Sequence, residues 1–270
     1  MVVMGRSCPT GSDRHHRGRE DGYVDDLVGV VLAAGRGTRL RPLSRLRPKA
    51  LCPVGNVPLV DLALGRVRPS VGAVAVNLHH GRRALDAHLA DDVHRSIEAD
   101  GPLGTAGALG QLRSWIDGRA ALVVNADAWC PGSLEAFVAG WDGERIRLLL
   151  AGDDELQPNS GLAAALMPWA DLAGLPATPS GLYEVSWRAA QVAGRLEVVR
   201  HDGPFVDCGT PRQYLAANLL WSGGESVVEP GAEVEGTLDR CVVWSDARVR
   251  RHELLTCCIR TRGRLTVLVR

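Results

Sequence analysis

Short apolar runs that alternate with helical stretches constrain this chain more than any other feature. Residues 27–32, 71–76, 121–124 and 145–150 are rich in Val, Leu, Ile and Ala and are too short for buried helices. Between and after them, residues 60–67, 82–89, 105–115 and 133–139 carry apolar positions at helical spacing. Near-continuous apolar strands separated by helices specify a parallel sheet covered on both faces, so the expected class is α/β with a doubly wound, mostly parallel sheet. Beyond residue 151 the pattern loosens. Residues 152–160 form a polar loop, 162–167 a strand, 182–192 a helix and 196–199 a further strand. Thr210 and Pro211 then open a helix that runs to residue 220, with Thr as N-cap and Pro in the first turn.

Two ends of the chain differ from this middle. Residues 1–25 mix Arg, His, Asp, Gly and Ser without periodicity and are expected to be a disordered leader. Residues 223–270 lack a long helix and place apolar residues at Val234, Leu238, Val242, Val249, Leu254 and Ile259 between Gly turns. That spacing predicts a short β-rich tail resembling a left-handed β-helix, after a main domain spanning residues 26–222.

Composition narrows the function classes. The formal net charge is zero, which opposes a general nucleic-acid or membrane-surface binder. No apolar run approaches the roughly 20 residues of a membrane helix. Seven cysteines without a CxxC pair fit reduced thiols, and hence a cytoplasmic protein. The most informative bias is among the cations: Lys49 is the sole lysine among 31 basic residues. Where arginine serves every surface need, a retained lysine points to a task for a compact point charge that the wide guanidinium fork cannot perform.

That lysine ends the most distinctive segment of the chain. Leu32, Ala33, Ala34, Gly35, Arg36, Gly37, Thr38, Arg39 and Leu40 follow the first strand and lead through Pro42 and Leu43 to Pro48, Lys49, Ala50 and Leu51. Open α/β sheets bind ligands at the carboxyl ends of their strands. Small residues and glycines there let backbone N–H groups approach a phosphate. From Arg36 to Lys49 there are six cations and no acid, a field suited to a triphosphate. The dinucleotide fingerprint fails because Leu40 stands in the third glycine position, and there is no P-loop GK[ST].

This stretch resembles the signature of nucleotide-sugar pyrophosphorylases, the sugar-1-phosphate nucleotidyltransferases, continuing through Pro53-Val54, Asn56 and Pro58 to Asp61. The resemblance implies a Rossmann-like nucleotidyltransferase fold and makes Leu32, Ala33, Ala34, Gly35, Gly37 and Thr38 nucleotide-binding. It makes Arg39 and Lys49 catalytic. Gly104, Thr105, Ala106 and Gly107 are similar to the loop that reads the base. Asp127, after Asn125-Ala126, and Asp207, in Asp207-Cys208-Gly209-Thr210-Pro211, correspond to the ligands of Mg²⁺. Asn77-Leu78-His79-His80 and His88-Leu89 are similar to the mannose-1-phosphate guanylyltransferase and muramyl-phosphate uridylyltransferase branch, which favours GTP or UTP.

The chain departs from the family in its sugar half. The usual Glu-Lys-Pro segment is missing between residues 150 and 179, which leaves Glu184 with Arg188 or Arg200 as substitutes. Glu184 and Arg188 are also spaced to pair with each other on a helix. The expected substrates are an NTP and a sugar 1-phosphate, with no nucleic acid or membrane partner and with homo-oligomerisation left open. Two other readings stand beside this one. One is a weakly catalytic regulatory homologue that binds nucleotide. The other is a phosphocholine cytidylyltransferase, whose quaternary ammonium would need an aromatic cage from Trp169, Tyr183 and Trp187.

Overall fold

The computed structural model describes residues 26–262 and 264–269, so the leader expected at residues 1–25 lies outside them. A central sheet holds seven strands: β1 (Leu27–Leu32), β2 (Ala73–Leu78), β3 (Val93–Ile97), β4 (Ala120–Asn125), β5 (Ile146–Ala151), β6 (Gly161–Met167) and β7 (Leu196–His201). Their order is β7-β5-β6-β4-β1-β2-β3. Strand β1 shows why both faces are covered. Leu27 and Val31 join one apolar cluster with Val60, Leu64 and Val67 of helix α1 (Leu59–Val67), while Val28 and Val30 join another with Leu109, Leu112 and Ile116 of helix α2 (Gly104–Ile116). Each such Val or Leu contributes about 1.5–3 kcal/mol through burial.

Strand β3 escapes the apolar pattern because it is the edge: Val93 and Ser96 are buried while His94 and Ile97 are exposed. Strand β6 runs antiparallel to both β4 and β5, in an otherwise parallel sheet. The cause is length. Residues 152–160 contain no crossover helix, and a parallel return needs a dozen or more residues. The reversal brings the start of β6 to the edge where the other strands end.

Helix α3 (Pro211–Ser222) begins as expected, with Gln213 N–H donating to the Thr210 hydroxyl at 3.2 Å. It delivers the chain to a coil of short parallel strands. Val227 pairs with Val242, Glu233 with Arg248, Thr237 with Leu254 and Val242 with Ile259, a repeat of 15 to 17 residues per turn that is compatible with a β-helix-like tail. Leu265–Leu268 folds back antiparallel on Cys258–Thr261. Val249 and Val243 fill the coil, but Leu254 is 69% exposed and Leu255 takes the inward place. The coil packs on the segment after β1 and on helix α3 through Val227, Val242, Trp244 and Ile259, which share a cluster with Leu40, Leu43, Cys52 and Tyr214. No helix among the described residues is long and apolar enough to cross a membrane.

Candidate active site

The site lies at the carboxyl edge of the sheet. After β1 the chain turns through Ala33 and Ala34, which are buried, to Gly35 and Arg36, which are exposed. Gly37 adopts φ +59, the left-handed conformation that starts the 3₁₀ turn Thr38–Leu40. Ser44 Oγ donates to the Gly37 carbonyl at 2.6 Å, and a Cβ on Gly37 would come within 3.1 Å of Lys49 Cβ. The glycine turn and the lysine are therefore packed side by side.

Two acids from distant parts of the chain meet that lysine. Asp127 follows β4, and Asp207 belongs to Val206–Asp207, which pairs antiparallel with Ala128–Trp129. Cys208 N–H also donates to the Asp127 carbonyl at 2.9 Å. Lys49 Nζ donates to Asp127 Oδ2 at 2.6 Å and to Asp207 Oδ1 at 3.4 Å, while Arg39 Nη2 lies 3.4 Å from Asp207 Oδ2. The lysine side chain is only 8% exposed, whereas Asp127 and Asp207 are 45% and 37% exposed. Both carboxylates line a cavity of about 540 Å³, together with Asn125, Ser160, Phe205 and Gln213. Beneath it, burial pushes the Cys208 thiol up to about 12, as it does Cys52 under the lysine segment. Neither thiol is a nucleophile near neutral pH.

A buried polar chain joins the glycine turn to helix α2. Ala33 N–H donates to Asn77 Oδ1 at 2.6 Å, Asn77 Nδ2 donates to Glu98 Oε1 at 2.7 Å, and Glu98 Oε2 accepts from Leu103 N–H at 2.8 Å. Asn77 and Glu98 are each 3% exposed. Sequence reading missed their role. The available signal was a polar residue, Asn77, directly after the apolar run 71–76 at the ligand-binding edge; Glu98 follows an edge strand with no apolar run and gave none. His79 Nδ1 donates to the Glu98 carbonyl at 2.8 Å, a structural use.

The first turn of α2 is partly covered. Ala106 N–H donates to the Ser180 carbonyl at 3.1 Å, and Leu182 N–H donates to the Thr105 hydroxyl at 2.9 Å. Gly107 has no room for a side chain, since a Cβ would meet the Thr178 carbonyl at 2.3 Å. Gly104, with φ +71, remains exposed. Leu32, whose carbonyl accepts from Ala126 N–H at 3.0 Å, completes the expected set around the turn.

The sugar-side substitutes fare differently. Glu184 and Arg188 are exposed, stand outside the cavity lining and form no ion pair with each other. Their segment opens as a π-helical turn, Tyr183–Trp187, so α-helical i, i+4 spacing does not apply. Arg200 pairs with Asp154 and Asp202 instead. No cluster of three or more His, Cys, Asp or Glu residues capable of holding a metal occurs among the described residues, so Asp127 and Asp207 are a pair.

Residues 28–148 match the family model described as Nucleotidyl transferase. The chain is 35% identical over 143 residues to N-acetylmuramate alpha-1-phosphate uridylyltransferase of Caulobacter vibrioides, covering 47% of this chain and 59% of that protein. It is 28% identical over 104 residues to mannose-1-phosphate guanylyltransferase of Mycobacterium tuberculosis, covering 36% of this chain and 29% of that protein. The matched region therefore spans only part of each of these relatives. In fold, the chain is similar to the crystal structure of mannose-1-phosphate geranyltransferase from Thermus thermophilus, with a TM-score of 0.65 at 20% identity over 90% of this chain and 95% of that one.

Proposed function

We propose that this chain, which carries a nucleotidyl transferase domain over residues 28–148, transfers a nucleoside monophosphate from an NTP to a sugar 1-phosphate. The observation that carries the reading is the sole lysine held between two acids beside a glycine turn at the carboxyl edge of the sheet. In this reaction an oxygen of the sugar phosphate attacks the α-phosphorus in line. The bond from that phosphorus to the oxygen bridging to the β-phosphorus breaks, and pyrophosphate leaves with the electron pair. The attacking oxygen is already an anion, so no general base is needed. What the protein must supply is alignment of two polyanions and neutralisation of their charge.

The residues divide that work. Leu32, Ala33, Ala34, Gly35, Gly37 and Thr38 cradle the NTP phosphates, and Gly104, Thr105, Ala106 and Gly107 read the base. Lys49 and Arg39 neutralise the α-phosphate and the departing pyrophosphate. Asp127 and Asp207 fit a hard divalent cation, because both offer carboxylate oxygens to the cavity and leave further positions for phosphate and water. Enzymes of this family generally depend on a divalent metal, and we assign Mg²⁺, which supplies charge neutralisation at the phosphates when bound. The sugar falls to Asn125, Ser160, Phe205 and Gln213 rather than to Glu184 and Arg188. We treat residues 26–222 as the transferase unit and residues 223–270 as an appended coil, and we place the protein in the cytoplasm.

UTP and GTP are the favoured donors, following the names of the two relatives above. The phosphocholine reading loses its cage: Trp187 is 7% exposed within an apolar cluster, against which Trp169 and Tyr183 also pack. Pyrophosphate release with Mg²⁺, crossing four NTPs with sugar 1-phosphates and phosphocholine, tests the proposal. Release that needs one NTP and one sugar phosphate together is expected. Silence from folded protein that still binds nucleotide would favour the regulatory homologue.

A further inference from the structure

Lys49 stands on a short segment whose two ends are tied to other parts of the chain. At the upstream end, Arg47 makes a bidentate pair with Glu229 of the coil, at 2.6 Å and 3.1 Å. The guanidinium also lies over the ring of Trp244, 4.4 Å from its centre. Glu229 is itself fixed, since Ser245 N–H donates to its Oε2 at 2.6 Å. At the downstream end, the Pro53 carbonyl accepts from Tyr214 Oη at 2.6 Å, and Trp244 Nε1 donates to that same Tyr214 Oη at 3.1 Å. Trp244 therefore touches the systems that hold both ends. The cation-rich stretch from Arg36 to Lys49 has no acid of its own, and the coil supplies one in Glu229.

A lysine ammonium on a flexible stem has no fork with which to fix its own geometry, so its position is set by its backbone and neighbours. We propose that the C-terminal coil is a brace for Lys49, with Glu229 and Trp244 as positioning residues that act through Arg47 to hold the ammonium against Asp127 and Asp207. The kinetic part of this inference rests on the transfer reading above; the structural part does not.

The sole lysine makes the test direct. Reductive ¹³C-methylation of the full chain labels Lys49 and the N-terminal amine, giving a side-chain NMR signal for the residue in question. Glu229→Gln leaves Arg47 unpaired, and a paired variant, Arg47→Met with Glu229→Gln, removes the buried charge altogether should the single change unfold the protein. In either folded variant the Lys49 methyl resonance is expected to shift and broaden. NTP affinity stays within about twofold while kcat falls at least about tenfold, as misplacement of a reacting group does. In a Lys49→Met background, Glu229→Gln should cost no further turnover, because the two changes remove one function. An unmoved resonance overturns the brace, and so does a kcat loss that is fully additive with Lys49→Met. If the wild type supports no transfer with any substrate pair, the transfer reading fails while the resonance still decides the brace.

Discussion

Replacing Lys49 by Met removes one positive charge and keeps the stem, and its two consequences differ in size. Two unit charges 2.6 Å apart, as Lys49 Nζ and Asp127 Oδ2 are, attract by about 6 kcal/mol at an effective dielectric of 20. Asp127 is 45% exposed, so screening and the desolvation of the lysine offset most of that attraction. The pair contributes about 1 kcal/mol to the fold. A chain of this size should then lose only about 2–4 °C in Tm. Turnover should fall by about 10²–10³, the usual effect of deleting a charge that meets developing negative charge in a water-poor site, or roughly 2.7–4 kcal/mol of barrier. Lys49→Arg should not restore it, because the ammonium sits 2.6 Å from Asp127 on a side chain only 8% exposed, leaving little space for the wider guanidinium. Pyrophosphate release and a thermal melt on the same preparation give both numbers. Full turnover in a folded Lys49→Met protein would refute the reasoning. A Tm loss large enough to account for the missing activity would refute it too.

Three further expectations follow from the same geometry. Asn77→Ala deprives buried Ala33 N–H and Glu98 of their partner, so NTP KM should rise about tenfold while sugar-phosphate KM stays put; equal changes in both would show the polar chain to be structural only. Gly107→Ala gains helix propensity but places a Cβ 2.3 Å from the Thr178 carbonyl, so a net loss of about 1–3 kcal/mol is expected, and an unchanged or higher Tm would mean that residues 176–182 yield freely. Glu253 is held down to about 2, chiefly by the Arg250 N–H and then by Arg260. Its folded value lies below the ordinary 4.5, so its contribution is present above pH 4.5 and lost as the pH falls towards 2. Glu253→Gln should flatten the fall in urea midpoint across that window.

The sequence revealed most where one local rule decided the outcome. Apolar runs located β1, β4 and β5, and Thr210 with Pro211 located the start of α3, because burial and capping act within a few residues. The lone lysine drew attention to its segment by composition alone, and the structure sets it between Asp127 and Asp207. What stayed hidden depends on pairing at long range. Nothing near Asp127 or Asp207 indicates that Ala128–Trp129 and Val206–Asp207 form a ribbon that brings the two acids together. Their roles were carried only by resemblance. The edge strand β3 lacked an apolar run because half of it faces solvent. In the coil, apolar residues recur at both Leu254 and Leu255, and only the register with Thr237–Asp239 decides which points inward.

The reversed strand β6 separates the two sides of the cavity in a way that bears on divergence. The glycine turn, the lysine and helix α2 all hang on parallel strands whose ends are fixed by their crossovers. Ser160 instead enters the cavity from the last residue of the loop that leads into β6, a loop whose Asp154 also pairs with Arg200 of β7. Changes of length or composition in residues 152–160 can therefore remodel one wall of the cavity without moving the glycine turn or Lys49. On the proposed transfer reading, grafting that loop between related chains would exchange the acceptor while keeping the donor.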